Sequence, residues 1–240
     1  MNRVVLTGAS SGIGLATAEA FLNEGYEVIS VARRPCPLRS ERLRSIMVDL
    51  TDAEATRSAV VALAAEAPAT TIVHCAGDIR EKPIEDTRIA DLAALANLHM
   101  TAALSLVQAN LSAMKEARYG RIVLISSRAV LGLAKRTAYS STKAGMLGLA
   151  RTWALELAPH GVTVNVVAPG PIADTEMFED VIPRDSPKMT TVVRQIPVGR
   201  FGEPSDVARA VMFFADPKSS FITGQTLFVC GGTSVGSIVY

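Results

Sequence analysis

Short apolar runs alternate with stretches of helical apolar spacing along almost the whole chain. A continuous run of Val, Ile and Leu indicates a strand buried on both faces, whereas apolar positions three and four apart indicate a helix packed on one side. The predicted strands are 3–6, 27–32, 45–48, 70–74, 121–125, 162–167 and 225–229. The predicted helices are 15–23, 52–67, 89–117, 139–157 and 206–214, the second with Thr51 as its N-cap. This alternation predicts an α/β fold, a doubly wound parallel sheet of about seven strands, in one domain spanning residues 1–240.

Composition and charge narrow the classes of function. Hydrophobic residues make up 49% of the 240 residues and the mean hydropathy is +0.28, so a large buried core is available. The net charge of +1 gives no electrostatic reason to expect nucleic acid or an anionic membrane surface as a partner. Cys36, Cys75 and Cys230 are an odd number without metal-ligand spacing, which predicts packed, reduced thiols and no metal site. We see no signal peptide and no apolar run long enough to span a bilayer, and we therefore expect a soluble, cytoplasmic protein.

A glycine-rich turn joins the first predicted strand to the first predicted helix. Gly8, Gly12 and Gly14 follow a buried strand and precede helical spacing. Such a turn lets the backbone approach a pyrophosphate, with the amides and dipole of the helix N-terminus facing the anion. The strand before it and the helix after it are the context that a dinucleotide site requires. The alternative is a tight turn that needs glycine for backbone reasons alone.

A pair of serines, a tyrosine and a lysine follow the fifth predicted strand. Ser126-Ser127 end that strand, Tyr139 comes twelve residues after the second serine, and Lys143 lies four residues further on. Positions i and i+4 of a helix share a face, so the Lys143 ammonium can lie beside the Tyr139 phenol. A unit charge at roughly 4 Å, in an effective dielectric of about 20, is worth on the order of 4 kcal/mol, enough to bring the pKa of a tyrosine close to neutral. Taken alone, the pair fits either a proton donor or an ordinary exposed helix face.

Together these motifs resemble the short-chain dehydrogenase/reductase family, in its common single-domain branch with a Rossmann fold. The resemblance covers essentially the whole chain. The motifs that carry it are Thr7-Gly8-Ala9-Ser10-Ser11-Gly12-Ile13-Gly14, Asn97-Leu98, Ser126-Ser127 with Tyr139 and Lys143, Pro169-Gly170-Pro171-Ile172, and the tail from Ile222-Thr223-Gly224-Gln225 to Gly231-Gly232. The resemblance implies hydride transfer between a nicotinamide cofactor and a carbonyl or secondary alcohol.

The resemblance implies four catalytic residues. Tyr139 would be the general acid in reduction and the general base in oxidation. Lys143 would lower the pKa of Tyr139 and hold the nicotinamide ribose, and Asn97 would hold a water molecule next to Lys143 in a proton relay. A serine would polarise the carbonyl oxygen. Residue spacing in many relatives points to Ser126, whereas the Ile-Ser-Ser pattern points to Ser127, which we favour.

The resemblance also implies the residues that hold the cofactor. They are Gly8, Ser10, Ser11, Gly12, Ile13, Gly14, Arg33, Arg34, Asp49, Leu50, Cys75, Ala76, Gly77, Tyr139, Lys143, Pro169, Gly170, Ile172 and Thr175. Asp49 and Leu50 would meet the adenine. Relatives usually carry Asn-Asn-Ala-Gly at the fourth strand where this chain has His74-Cys75-Ala76-Gly77, and we interpret His74 as a packed, structural histidine.

The end of the second strand bears on which nicotinamide cofactor is used. Relatives specific for NAD carry an acidic residue there that binds the ribose hydroxyls, whereas this chain has Ala32 followed by Arg33-Arg34. Loss of the carboxylate removes repulsion toward a 2′-phosphate, and arginine offers it a bidentate grip. The resemblance therefore implies NADP(H) in preference to NAD(H), with Arg33 as the main contact and Arg34 as the second. The alternative is a solvated basic loop.

The segment 172–203 is the least regular part of the chain and is expected to be a substrate lid. Its predicted apolar face consists of Met177, Phe178, Val181, Ile182 and Met189, and its charges are Arg184, Lys188 and Arg194. The nearest general identity is an enzyme similar to 3-oxoacyl carrier-protein reductases, expected as a homotetramer or homodimer acting on a small molecule. The alternatives are an NAD(H)-dependent catabolic alcohol dehydrogenase, another reaction on the same fold such as epimerisation or dehydration, and a non-catalytic dinucleotide sensor.

Overall fold

A computed structural model describes residues 2–179 and 188–235 and contains one sheet of seven parallel strands. The strands are β1 (Arg3–Thr7), β2 (Glu27–Ala32), β3 (Leu43–Met47), β4 (Thr71–His74), β5 (Gly120–Ile125), β6 (Val162–Pro169) and β7 (Thr226–Val229). Their order in the sheet is β3-β2-β1-β4-β5-β6-β7. The direction of winding reverses between β1 and β4, where doubly wound sheets bind ligands at the carboxyl ends of their strands. The predicted doubly wound Rossmann sheet is confirmed.

Helices cover both faces of this sheet. They are α1 (Gly12–Asn23), α2 (Ala53–Glu66), α3 (Ile89–Ala96), α4 (Ala102–Ala117), α5 (Thr137–Leu157), α6 (Glu176–Glu179), α7 (Lys188–Arg194) and α8 (Pro204–Ala215). Alternate strand residues face the two layers: Val5 and Ile72 pack in the core under α2, α4 and α5, whereas Val4 and Val73 pack in the core under α1 and α8. Both cores are built from strands buried on both sides, as the unbroken apolar runs predict.

One helical stretch differs from the sequence expectation. The sequence predicts one continuous helix over 89–117, whereas in the structure a π-helical turn, Asn97–Thr101, separates α3 from α4. By length and composition, Ile89–Ala117 could cross a membrane, which corrects the expectation that no apolar run is long enough. Core helices share those properties, and the fully buried Leu95, Leu106 and Met114 pack this stretch against the sheet.

Several other boundaries differ from the predicted ones by a few residues, and two of the differences have a clear local cause. The N-cap of α2 is Asp52 and not Thr51, because Asp52 Oδ1 accepts hydrogen bonds from the Glu54 and Ala55 amides while the Thr51 hydroxyl donates to Asp49. α8 begins at Pro204, two residues earlier than predicted. Helices favour proline in the first turn, where the missing amide proton costs no hydrogen bond.

The ends of the predicted lid are fixed to one another. The Ala173 amide donates to the Gly202 carbonyl and the Gly202 amide donates to the Pro171 carbonyl, so the segment leaves and returns to the fold at one place. Phe178 packs edge-to-face on Phe201 with ring centres 4.9 Å apart. The predicted lid residues Val181, Ile182 and Arg184, and the side chain of Lys188, lie outside the described part of the chain.

Candidate active site

A cleft of about 370 Å³ opens at the carboxyl ends of β1 and β4, within the size range of ligand sites. Fourteen of the residues predicted to hold the cofactor line it: Gly8, Ser10, Ser11, Gly12, Ile13, Gly14, Arg33, Arg34, Asp49, Leu50, Cys75, Ala76, Gly77 and Thr175. The structure therefore brings together one continuous surface from five separate segments of the chain. Thr51, Asp78, Ile79, Glu81, Glu176 and Met177 also line the cleft without having been predicted as cofactor residues.

The glycine-rich turn is shaped so that side chains would not fit. A Cβ on Gly14 would stand 2.1 Å from the Gly8 carbonyl oxygen. Gly8 itself has φ +74°, a left-handed conformation that favours glycine, and a Cβ there would stand 2.9 Å from the Ala76 backbone. α1 starts at Gly12, so its free amides face the cleft. These residues fit a bound dinucleotide pyrophosphate, because backbone amides and the helix dipole favour an anion there.

The two arginines at the end of β2 are placed differently. Arg33 and Arg34 both line the cleft beside Ala32 and Asp49. Hydrogen bonds from Thr51 hold the pKa of the Asp49 carboxyl below its usual range, and Arg33 adds to the effect. Arg34 Nη2 donates to both carboxylate oxygens of Glu176, at 2.8 and 2.7 Å, at the start of α6. Arg34 therefore closes one side of the cleft through an ion pair, whereas the charge of Arg33 acts on the Asp49 carboxyl.

His74 ties β1, β4 and the π turn together. The Thr7 hydroxyl accepts the Cys75 and Ala76 amides at 3.0 Å each, so its proton goes to His74 Nδ1, also at 3.0 Å. The opposite nitrogen, Nε2, then carries the proton and donates to the Leu98 carbonyl at 2.9 Å. Burial, reinforced by nearby Lys143, lowers the pKa of His74 to about 3. Its surroundings are those of the structural histidine that the sequence indicated.

The two adjacent serines have different partners. Ser126 is buried, and its hydroxyl donates to the Lys143 carbonyl of α5 at 2.8 Å. The Ser127 hydroxyl accepts the Ala129 amide at 3.1 Å and is hydrogen-bonded to the Tyr139 phenol. Ser126 therefore fastens α5 to β5, whereas Ser127 is in contact with the phenol.

Tyr139 and Lys143 are both buried, and burial controls their protonation. It raises the pKa of Tyr139, an effect that the Ser127 hydrogen bond and Arg136 only partly offset, and it lowers the pKa of Lys143 to about 8. Lys143 Nζ lies 5.8 Å from the Tyr139 ring centre and donates to the Ile125 carbonyl at 2.7 Å. The expected fall in the pKa of Tyr139 is thus not present in this arrangement, because desolvation outweighs the hydrogen bond from Ser127 and the charge of Arg136. Tyr139 is consequently protonated at neutral pH.

Asn97 is the first residue of the π turn. Its side-chain amide donates to the Thr51 carbonyl at 3.2 Å and its side-chain oxygen accepts from the Thr101 hydroxyl, so the polar atoms of the side chain have partners other than Lys143. The residue that the π turn brings to Tyr139 is His99, with ring centres 5.8 Å apart. Sequence reasoning missed His99, since a π turn has more residues than an α turn and rotates the following positions onto another face.

The remaining predicted contacts divide between two places. Pro169 ends β6, and the amide of the next residue, Gly170, donates to the Val229 carbonyl of β7. Ile172 lines a second cavity, of about 290 Å³, together with Ile196 and Phe228. In the lid, Met177 lines the main cleft, whereas Arg194 is exposed.

Comparisons with known sequences match the chain over nearly its full length. The family model described as enoyl-(acyl carrier protein) reductase matches residues 8–234. The (2S)-((R)-hydroxy(phenyl)methyl)succinyl-CoA dehydrogenase subunit BbsD of Thauera aromatica is 36% identical, over 98% of this chain and 97% of its own. The 3-oxoacyl-(acyl-carrier-protein) reductase FabG of Vibrio cholerae is 33% identical, over 95% of each chain.

Solved structures give the same result for the fold. A structure from Beutenbergia cavernae, described as an NAD(P)-dependent gluconate 5-dehydrogenase with bound NADP at low occupancy, superposes with a TM-score of 0.90 at 30% identity, over 98% of this chain and 97% of that one. The aldohexose dehydrogenase of Thermoplasma acidophilum also has a TM-score of 0.90, at 28% identity, over 100% of this chain and 96% of that one.

Proposed function

The chain belongs to the short-chain dehydrogenase/reductase family and is a nicotinamide-dependent oxidoreductase; on that premise, we propose that it reduces a carbonyl compound with NADPH, with Tyr139 as the proton donor. The observation that carries the proposal is the contact between Ser127 and Tyr139 near Lys143, whose Nζ atom lies close to Gly77 of the cleft. We also propose that the whole chain works as one domain and as a cytoplasmic homotetramer.

The proposed chemistry divides between the cofactor and three side chains. When bound, the nicotinamide supplies the hydride. Tyr139 Oη gives its proton to the oxygen of the substrate carbonyl, and its raised pKa keeps that proton in place at neutral pH. The Ser127 hydroxyl orients the same oxygen, and Lys143 resupplies the proton of Tyr139. A protonated tyrosine favours reduction, because alcohol oxidation needs the phenolate as a base.

The preference for NADP(H) rests on the end of β2. Ala32 offers no carboxylate to repel a 2′-phosphate, and Arg33 lines the cleft beside it. The ion pair between Arg34 and Glu176 favours the alternative, an NAD(H)-dependent alcohol dehydrogenase, because it occupies the second arginine. Comparison of kcat/KM with NADPH and with NADH decides between the two cofactor assignments. An equal or higher kcat/KM with NADH would overturn the assignment of NADP(H).

The proposed substrate class is an acyl thioester that carries a ketone. Two relatives that match the chain over nearly its full length have names that contain a coenzyme A or acyl-carrier-protein group. The test is the loss of reduced-nicotinamide absorbance with a panel of 3-oxoacyl thioesters, cyclic ketones and sugars, run with the wild type and with Tyr139→Phe. We expect turnover of a 3-oxoacyl thioester and a loss of about 100-fold or more in Tyr139→Phe. Cofactor binding without turnover of any ketone would instead indicate a dinucleotide sensor.

A further inference from the structure

Arg136 is a buried cation that the proposed chemistry leaves without a role. It is 5% exposed and is the N-cap residue of α5, three residues and about one helical turn before Tyr139. Burial raises the pKa of Tyr139, and the Ser127 hydrogen bond and then the charge of Arg136 act against that rise. The guanidinium therefore lies within electrostatic reach of the phenol that gives its proton to the substrate.

The stability of α5 does not explain an arginine at this position. An N-cap side chain normally accepts a hydrogen bond from a backbone amide, whereas Arg136 has only donors and makes no capping bond. A cation at the start of a helix is also opposed by the positive end of the helix dipole. The preceding residue, Lys135, has φ +61°, a left-handed conformation that favours glycine. The chain holds a guanidinium here against these local preferences, which indicates a role outside the helix.

Arg136 joins two connections that border the catalytic residues. Its Nη2 atom lies 2.8 Å from Glu81 Oε2 in an ion pair, and Glu81 lines the cleft. The Lys82 amide donates to the Lys135 carbonyl at 3.0 Å, and Lys82 forms a parallel bridge with Arg136. The connection after β4 is therefore attached to the start of α5, and the carboxylate of the ion pair lies at the cleft.

Within the described part of the chain, the contacts of Arg136 use few of its five N–H groups. Besides the bond to Glu81, Nη1 lies 3.4 Å from the Lys135 carbonyl, near the outer limit of a hydrogen bond. The Glu81 side chain is 43% exposed, so the partner of this buried guanidinium is itself partly in solvent. The planar guanidinium thus keeps N–H groups for a further carboxylate, which it can bind through two parallel bonds.

A second buried ion nearby has a different arrangement. Asp91 is bound by three cations of its own connection, and these bonds fix the start of α3. The cations are Arg80 at 2.9 Å, Lys82 at 3.0 Å and Arg88 at 2.9 Å. Asp91 is thus a buried ion surrounded by opposite charges, as a structural ion usually is. Arg136, in the described structure, instead faces one carboxylate that belongs to the cleft.

We propose that Arg136 is a specificity residue that binds a carboxylate carried by the substrate, and that Glu81 is the counter-ion it exchanges for that carboxylate. This inference deepens the proposed carbonyl reduction and rests on it: the substrate is a 3-oxoacyl thioester whose chain also carries a free carboxylate. The carboxylate binds the guanidinium while the ketone oxygen meets Tyr139 and Ser127. Glu81 is exposed enough to turn toward solvent when it is displaced.

A matched pair of substrates measures this selectivity. One is a 3-oxoacyl thioester of N-acetylcysteamine whose chain ends in a carboxylate, and the other is its methyl ester, which lacks the charge. Several chain lengths are compared. At the best length we expect kcat/KM of the wild type to be about ten-fold or more higher for the carboxylate, because the ester cannot form the charge-assisted pair. An equal or higher kcat/KM for the ester at every length overturns the proposal.

Substitution of Arg136 separates substrate binding from a structural role. Arg136→Gln should bring the ratio of kcat/KM for carboxylate over ester to about one, mainly by raising KM for the carboxylate. An equal loss with both substrates overturns the proposal. If the single variant does not fold, Arg136→Gln combined with Glu81→Gln leaves no charge unpaired and should give the same ratio. Arg88→Gln, the same change in an exposed arginine bound to Asp91, is the matched control and should keep the wild-type ratio.

Substitution of Glu81 alone has an effect of the opposite sign. Glu81→Gln removes the carboxylate with which the substrate competes, so KM for the carboxylate substrate should fall about 3-fold or more, and KM for the ester should change less. An ion pair that serves only to hold the two connections together predicts instead that KM rises for both substrates. That result would overturn the exchange.

A binding measurement is independent of turnover. Calorimetric titration of the protein saturated with its nicotinamide cofactor gives the Kd of glutarate, a simple dicarboxylate, and of glutaramide, its neutral diamide. We expect glutarate to bind the wild type about ten-fold or more tightly than it binds Arg136→Gln, and glutaramide to show no such difference. If no ketone is reduced by any variant, the proposed function fails and this titration decides on Arg136. Equal Kd values for glutarate in the two proteins, or no binding to the wild type, overturn the proposal.

Discussion

Two serines that follow one another at the end of β5 have different roles in the structure. Ser126 and Ser127 have the same chemistry, and the sequence leaves both as candidates, because the spacing to the tyrosine points to Ser126 and the Ile-Ser-Ser pattern points to Ser127. In the fold, extended backbone turns successive side chains to opposite sides, so Ser126 faces the carbonyl of Lys143 and Ser127 faces the Tyr139 phenol. The sequence pattern located the catalytic serine to within one residue, and the direction of the backbone distinguishes the two candidates.

Separate alanine substitutions of the two serines give the first prediction. Ser127→Ala should lower kcat about 100-fold, because the group that orients the substrate oxygen is lost. Ser126→Ala should mainly lower the free energy of unfolding, by about 1 kcal/mol, since a buried hydrogen bond to α5 is lost. Steady-state kinetics and urea unfolding of both variants measure these effects. A larger loss of kcat in Ser126→Ala would reverse the assignment.

A second prediction concerns the arginines after β2. Arg33→Ala should reduce the ratio of kcat/KM for NADPH over NADH by about ten-fold or more, because a charge-assisted hydrogen bond to the 2′-phosphate is lost. Arg34→Ala should change that ratio less, because Arg34 is bound by Glu176. Glu176→Gln, which weakens that ion pair, is the matched control and should raise the ratio. A greater effect from Arg34 than from Arg33 would contradict the account.

At the scale of elements, the apolar pattern predicted strands well and helix details poorly. Buried strands such as β1 and β5 appear as unbroken apolar runs, and both were located to within a residue at each end. The π turn between α3 and α4 leaves no such mark in the apolar pattern; in the structure Leu98 and His99 of this turn are buried and the Leu98 carbonyl is bonded to His74.

The link that His74 makes between β1, β4 and the π turn predicts how stability depends on pH. Its pKa is about 3 in the folded protein and about 6.5 in an unfolded chain, so the unfolded chain binds a proton that the folded one does not. The free energy of unfolding should therefore be highest above pH 6.5 and fall as the pH is lowered toward the folded pKa. His74 alone should contribute a loss of about 2 kcal/mol by pH 5.

Urea unfolding of the wild type and His74→Gln at pH 7 and pH 5 measures this loss. Glutamine has a donor and an acceptor for the Leu98 carbonyl and the Thr7 hydroxyl, and it does not titrate. The free energy of unfolding should fall less between pH 7 and pH 5 in His74→Gln than in the wild type. The fall that remains in His74→Gln is due in part to His99, which is also held neutral. An equal loss in both proteins would show that His74 does not cause it.

At the scale of the whole molecule, the last helix and strand carry large apolar side chains that the fold leaves exposed. We call this the carboxyl-terminal face: Phe213 on α8, Phe221 in the following connection, and Leu227 on β7, which is one of the two edge strands of the described sheet. Exposed apolar groups on an edge strand and its neighbouring helix fit an interface between subunits. The proposed tetramer would use this face.

Charge substitution on that face tests the assembly. Phe221→Asp should reduce the mass measured by light scattering from that of a tetramer to that of a dimer, because a buried carboxylate at the interface would be unpaired. Val61→Asp, an exposed apolar position on α2, is the matched control and should leave the mass unchanged. A monomeric wild type, or equal masses for wild type and Phe221→Asp, would contradict the proposed use of this face.

The central claim is that the chain transfers a hydride to a carbonyl carbon, and isotope transfer tests it most directly. NADPH carrying deuterium at the transferable C4 position is incubated with the enzyme and the 3-oxoacyl thioester of the panel, and the product is analysed by mass spectrometry and NMR. The account predicts one deuterium on the carbon that becomes the alcohol carbon, and no such product with Tyr139→Phe over the same time. Product without deuterium at that carbon, or full conversion by Tyr139→Phe, would contradict it.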